Sequence, residues 1–302
     1  LNKKEAQPVK PITNPTYDDT EIGQYFDSIF HKGEQPPEKL SPLILKTLFG
    51  TTNYRAQAKE LFKDVKNSKA VCAKILTSKD IVFKCLDCEK DPTCIICKEC
   101  YEKGNHKGHR VILQKNGSGC CDCGDPDAWK EEGFCSDHPG YAKFKPTYSV
   151  DDIPEDFRNT FLSLYEKCFY YWFTFLDEVG IQRKKQTFLY EKAALVLKEL
   201  LSSLDFCGEQ SMALYLLVCK LFSQRLSDHN RLLYIKSSNL KSLEFNKEPE
   251  KCEFTYLECL FAYAQLLDGN SQKQIEELTI KLFLDYDFKK YQAETFVKMI
   301  NF

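Results

Sequence analysis

Three features of the sequence predict a mainly α fold interrupted by one small irregular domain. Apolar residues recur at helical spacing through most of the second half. The middle stretch loses that periodicity and fills with glycine, and the cysteines crowd into the same stretch. Of fifteen cysteines and five histidines in the chain, ten and three respectively fall between Cys72 and His138. No apolar core needs so many thiols in so few residues, so this crowding marks where function sits. At 302 residues the chain exceeds what one compact core usually supports, and two or three structural units are expected.

Taken in order, residues 1–16 carry Pro8, Pro11 and Pro15 among Lys and Asn and read as a mobile linker. Residues 17–68 read as short helices. Pro42 to Phe49 places apolar groups on one face and stops at Gly50, and Tyr54 to Val65 is a second amphipathic candidate. Residues 69–146 hold Gly104, Gly108, Gly117, Gly119, Gly124, Gly133 and Gly140, and cannot bury enough apolar surface to fold alone. Metal ions are expected to supply the missing free energy.

Residues 147–302 read as an all-α scaffold. Past Pro154, the residues Phe157, Phe161, Leu164, Tyr165, Cys168, Phe169, Trp172 and Leu176 recur at three- and four-residue steps, the mark of a helix buried on one face. Leu189–Leu204, Ser211–Leu226, Phe254–Leu267 and Ile275–Phe288 repeat the pattern, with Gly208 and Gly269 as stops and a further helix from about Tyr291 to Phe302. The remaining cysteines, Cys168, Cys207, Cys219, Cys252 and Cys259, read as small buried hydrophobes.

Charged residues make up 28% of the chain and the formal net charge is -2, which gives no bulk electrostatic basis for binding nucleic acid or an anionic membrane. Lys103, Lys107, Arg110 and Lys115 are present, but the loops beside the metals are acidic. No run of about 18 apolar residues argues for a membrane span. The chain opens at Leu1 without a charged-then-apolar leader, so a piece of a longer protein without a secretory signal is expected. Metal-bound thiolates suit the cytosol or nucleus.

The donors run Cys72, Cys85-x-x-Cys88, Cys94-x-x-Cys97-x-x-Cys100, His106-x-x-His109, Cys120-Cys121-x-Cys123 and Cys135-x-x-His138. At such spacings a tight turn aims two donors at one tetrahedral zinc. A disulfide framework would explain the cysteine count, but not why histidines share the spacing. Cys85, Cys88, His106 and His109 make one closed site. Nine donors remain, and two more zincs need seven residues if one thiolate bridges both ions. Spacing alone does not say which two of the nine are spare.

Asp91-Pro-Thr-Cys94-Ile-Ile-Cys97, His106-x-x-His109, Gly119-Cys-Cys-Asp-Cys-Gly-Asp125 with Ala128-Trp129, and Cys135-x-x-His138 together resemble the UBR box. This is the zinc-stabilised substrate-recognition domain of the N-recognin ubiquitin ligases. The resemblance covers roughly Cys72 to His138, and the flanking helical regions carry no matching motif. It implies a UBR-box zinc fold with three Zn2+ ions. One would sit at Cys85, Cys88, His106 and His109, and a two-zinc cluster at Cys72, Cys97, Cys100, Cys121, Cys123, Cys135 and His138. Cys94 and Cys120 would be the non-ligands, with Cys100 or Cys123 bridging.

The acidic residues carry the rest of the expectation. Asp91, Asp122 and Asp125 sit between or beside expected ligands, so the metals fix their positions, and three carboxylates held together repel unless a cation joins them. The resemblance implies that the cation is the free N-terminus of another polypeptide. Asp122 would hold the α-amino group, and the Cys120 carbonyl would add an acceptor. A basic first side chain (Arg, Lys or His) would meet Asp91, Asp125 and the Thr93 hydroxyl. Arg fits best, because its planar fork engages carboxylates with paired hydrogen bonds. Two residues depart from the family pattern: Ala73 follows the first ligand where Gly is common, and Cys120 stands where an apolar or aromatic residue is common. The expected function is the substrate-selecting part of an E3 ubiquitin-protein ligase, directing proteins with basic N-termini to ubiquitination and proteasomal degradation. A RING domain and its E2 enzyme would act from outside these residues, which show no further C-x-x-C array and no nucleophile beside a base. The alternative is a zinc-stabilised scaffold whose ligase recognises substrate through an adaptor or an internal degron.

Overall fold

The computed structural model describes residues 18–63, 69–144, 148–181, 187–226, 254–264, 267 and 269–300. The expected linker over 1–16 and Cys252 lie outside these residues. The chain is mainly α, with a small three-stranded module between its helical parts.

The first helical part holds α1 (Glu21–Asp27), α2 (Leu40–Phe49) and α3 (Tyr54–Leu61). The Thr20 side chain accepts from the Gly23 amide at the start of α1, and a π-helical turn, Ser28–Lys32, extends it. As expected from sequence, α2 stops at Gly50, which adopts φ +69°, a left-handed conformation that glycine enters without a Cβ penalty. The second part holds α5 (Glu155–Ile181), α6 (Thr187–Gln210), α7 (Met212–Ser223), α8 (Tyr256–Ala264), α9 (Gly269–Lys281) and α10 (Tyr286–Ile300). The short α4 (Lys98–Lys103) belongs to the module between them.

The two helical parts share one core, although the sequence suggests separate regions. Phe26, Ile29, Leu40 and Ile44 are buried in the same cluster as Phe161, Trp172, Leu197, Leu217 and Tyr256. Phe30 stacks on Phe175 at 3.7 Å between ring centroids, and Lys192 donates to the Ile29 carbonyl at 2.8 Å. The four scattered cysteines that are described, Cys168, Cys207, Cys219 and Cys259, are all buried in this core. Among the described residues no helix is long and apolar enough to cross a membrane.

Three helix boundaries differ from the sequence reading. Gly208 does not stop α6, which runs on to Gln210. The glycine penalty of about 0.5–1 kcal/mol is outweighed by the face that buries Leu197, Leu200, Leu204 and Cys207. Gly269 opens α9 rather than closing its predecessor. The single helix expected over Ile275–Phe288 is broken by a 3-10 turn, Leu282–Leu284, and by Asp285 in extended conformation. The Asp285 carboxylate accepts from the Phe288 amide at 2.8 Å and so caps a new helix, α10.

The central module contains more regular structure than its glycine content suggests. β1 (Ile75–Cys85) pairs antiparallel with β3 (Val111–Cys120) on one side and β2 (Ile96–Cys97) on the other. The register sets Phe83 opposite Leu113 and Cys85 opposite Val111, with an irregularity between Leu76 and Ile81. There Asp80 accepts from the Thr77 amide and hydroxyl, both at 2.8 Å. The module has its own small core of Leu76, Val82, Ile95, Ile96, Trp129 and the cysteines. Its sheet carries the donor-bearing turns at its ends: Cys85 closes β1, Cys97 closes β2, and Cys121 follows β3.

Candidate functional site

The donors gather into three quartets: Cys85, Cys88, His106 and His109; Cys72, Cys97, Cys100 and Cys121; and Cys100, Cys123, Cys135 and His138. Within each, the ligand atoms lie within 4.8 Å of one another. Cys100, on α4, belongs to both of the latter quartets, whereas Cys123 belongs to one. Cys94 and Cys120 lie in none of them.

The donor geometry fits zinc. Zn–S bonds of about 2.3 Å and Zn–N bonds of about 2.0–2.1 Å give a tetrahedral S···N edge of roughly 3.5 Å. The Nδ1 of His109 lies 3.4 Å from Cys85 Sγ and 3.2 Å from Cys88 Sγ, and that of His106 lies 3.7 Å from Cys88 Sγ. The Nδ1 of His138 lies 3.4 Å from Cys100 Sγ and 3.1 Å from Cys135 Sγ. The two cysteines outside the quartets behave as plain thiols: burial pushes Cys94 up to about 11 and Cys120 up to about 12.

Backbone bonds fasten the quartets to the fold. The Cys72 amide donates to the Cys123 carbonyl, the Cys121 amide to the Lys74 carbonyl, and the Gly140 amide to the Ala70 carbonyl, each at 2.9 Å. Gly124 sits at this junction with φ +92°.

The carboxylates ride on the same turns. Asp91 accepts from the Thr93 amide at 2.7 Å and from the Thr93 hydroxyl, and these bonds hold its carboxyl below the usual range. Both residues are exposed. Asp122, half-buried, accepts from the Ile95 amide at 2.7 Å, while its own amide donates to the Ile95 carbonyl at 2.9 Å. This two-way link ties the Asp91–Cys94 turn to the Cys121–Cys123 turn. Burial pushes the Asp122 carboxyl up to about 6, and the charges of Asp125 and Asp91 act in the same direction. The Asp125 amide donates to the Asp122 carbonyl at 3.1 Å, which sets these two carboxylates on one turn. The geometry therefore brings together the acidic residues that the sequence singled out, and their mutual repulsion calls for a cation.

One cation was not foreseen. Lys289, in the first turn of α10, donates to Asp125 at 2.6 Å and to Asp127 at 3.2 Å. These bonds outweigh its burial and hold its ammonium above the ordinary lysine range. Nothing in the sequence marks Lys289, which stands 164 residues from Asp125 in an ordinary amphipathic pattern.

Comparison with known proteins bears directly on residues 71–138, which match the family described as a putative zinc finger in N-recognin, the UBR box. The chain carries a UBR-box sequence over these residues. It is 29% identical over 231 residues to the E3 ubiquitin-protein ligase PRT6 of Arabidopsis thaliana, a match covering 76% of this chain and 10% of that protein. Over 74 residues it is 45% identical to the E3 ubiquitin-protein ligase UBR1 of Mus musculus, covering 24% of this chain and 4% of that protein. Over 125 residues it is 29% identical to the E3 ubiquitin-protein ligase UBR2 of Homo sapiens, covering 39% and 7%. The chain thus spans a tenth or less of the length of these relatives. The UBR box coincides with the strand module and its quartets, and the PRT6 match extends beyond it into the helical parts.

Proposed function

We propose that this chain is the substrate-recognition part of an E3 ubiquitin-protein ligase and that its UBR box binds proteins with a free basic N-terminal residue. Three zinc ions would hold the box, one in the Cys85–Cys88–His106–His109 quartet and two sharing Cys100. Ubiquitin transfer would be carried out by a RING domain and a bound E2 enzyme outside this chain, in the cytoplasm or nucleus. The observation that carries the reading is the set of carboxylates Asp91, Asp122 and Asp125 held on turns beside the cysteine and histidine quartets inside a matched UBR box.

The chemistry follows from charge. A protonated α-amino group entering beside Asp122 would offset the burial that raises its carboxyl and the charges of Asp125 and Asp91 that add to it, and the Cys120 carbonyl offers a second acceptor. An Arg, Lys or His side chain would reach toward Asp91, Thr93 and Asp125. Acetylation removes the charge and all but one N–H donor, and a lost charged hydrogen bond costs about 1.5–3 kcal/mol, roughly ten- to a hundredfold in affinity.

Fluorescence anisotropy with matched peptides starting in Arg, Ala and acetyl-Arg tests this, using zinc-loaded protein and a folded Asp122→Asn variant. Selective Arg binding, lost on acetylation and in the variant, is the expected outcome. One observation favours the second reading, a scaffold that recognises substrate through an adaptor or internal degron: Asp125 already has a cationic partner in Lys289. Absence of peptide binding by zinc-loaded protein would favour that scaffold.

A further inference from the structure

The contact between α10 and the UBR box has the geometry of a built-in competitor. Lys289 is aimed by a rigid frame. The Asp285 amide donates to the Tyr215 hydroxyl at 3.2 Å, the Asp285 carboxylate caps the Phe288 amide, and the Lys289 amide donates to the Asp285 carbonyl at 2.9 Å. Phe288 is buried in the helical core, and Tyr286 packs against Tyr141 with ring centroids 5.0 Å apart. The Lys289 and Asp125 side chains are 22% and 20% exposed, against 42% and 61% for the surface pair Lys46–Glu21. A pair withdrawn from water in this way is stronger than a surface pair and is noticed when it is replaced.

The contact divides the acidic pocket. Lys289 takes Asp125, the carboxylate assigned above to a basic first side chain, and makes no hydrogen bond to Asp122, assigned to the α-amino group. Asp127 gives the ammonium a second, more exposed partner, 67% open to solvent. Lys289 can therefore leave Asp125 without losing its whole ion pair.

We infer that Lys289 is an internal cation that competes with the basic first side chain of a substrate for Asp125, retreating toward Asp127 when displaced, and so sets how strongly the pocket prefers basic over small first residues. The inference rests on the reading of this pocket as an N-terminus reader. Its consequence is a compressed ratio of Arg-peptide to Ala-peptide affinity in the parent chain, because only the Arg peptide has to evict Lys289.

The test compares free-amine peptides starting with Arg and with Ala on zinc-loaded parent, Lys289→Met and Lys289→Arg proteins, with zinc content and circular dichroism matched. Met keeps the apolar stem and removes the charge. Arg-peptide affinity is expected to rise about tenfold in Lys289→Met, the effect of freeing one charged hydrogen-bond acceptor. Ala-peptide affinity should stay close to that of the parent, and Lys289→Arg should keep the parent's ratio. An unchanged ratio in Lys289→Met, or weaker Arg binding, overturns the proposal and identifies Lys289 as a strut. A second measurement needs no variant: limiting reductive methylation of the parent, read by peptide mass spectrometry, should label Lys289 more in saturating Arg peptide than in saturating Ala peptide. Equal labelling overturns displacement. If neither the parent nor Lys289→Met binds a free-amine peptide, the pocket reading falls and this proposal with it; if these two bind with the same ratio, this proposal alone falls.

Discussion

Gly124 links a donor to a carboxylate, standing between Cys123 and Asp125, and its conformation leaves no room for a side chain. At φ +92° an added Cβ would lie 2.4 Å from the Ala70 carbonyl oxygen and 2.8 Å from the Val71 Cα. Both neighbours are backbone and cannot swing away. Strain of this kind costs about 1–3 kcal/mol, so Gly124→Ala should give up zinc to a competing chelator at about tenfold lower chelator concentration than the parent. Retention equal to the parent would refute the strain argument. The donors themselves were legible in the sequence, because their pairing is local: C-x-x-C, H-x-x-H and C-x-x-H each fit one turn. The choice between Cys100 and Cys123 as the shared thiolate was not, since it depends on how α4 meets the Cys121–Cys123 turn, and in the structure Cys100 belongs to both quartets. Lys289 was out of reach for the same reason: its contact with Asp125 depends on the packing of α10 against the box.

At the scale of elements, local chemistry decided where helices end only when no tertiary force opposed it. Gly50 ends α2 because the left-handed conformation there needs a glycine. Gly208 does not end α6, because it directly follows the buried face that closes with Leu204 and Cys207, and the helix runs two residues further to Gln210. This failure makes a prediction of unusual sign. A Cβ at Gly208 would meet nothing within 4 Å and the residue is helical, so Gly208→Ala should stabilise the protein by about 0.5–1 kcal/mol. The true junction is Ser211, whose side chain accepts from the Leu214 amide at 3.1 Å while 2% exposed. Ser211→Ala should destabilise by about 1 kcal/mol through loss of the α7 cap. Urea midpoints of zinc-saturated proteins measure both, and the argument fails if the two shifts share a sign. The antiparallel pairing of β1 with β3 was missed because the irregularity between Leu76 and Ile81 breaks the alternation that marks a strand.

For the whole molecule, the decisive feature is that two cores exist and that they differ in what holds them together. The helical cluster takes residues from both sides of the UBR box and, among the described residues, none between 69 and 144. The box has a core made largely of its own cysteines, which in the absence of metal must crowd thiols and partial charges into one space. Structural zinc is folding free energy in such a module, whereas the helices have apolar faces of their own. The division was expected from composition; the union of the two flanking helical parts into one core was not, because apolar periodicity marks a buried face without naming the face it meets. The chain's two tryptophans report the two cores separately: Trp129 is fully buried in the box and Trp172 is fully buried among the helices. Removing zinc from single-tryptophan variants, Trp172→Phe and Trp129→Phe, should therefore give opposite answers. Emission from Trp129 should shift to the red as its core opens, emission from Trp172 should stay where it is, and far-ultraviolet circular dichroism should keep most of its helical signal. A parallel red shift from Trp172, with loss of helix, would mean that the box and the helices unfold as one cooperative unit, and that contacts such as Lys289 with Asp125 and Tyr286 with Tyr141 transmit the loss of metal across the molecule.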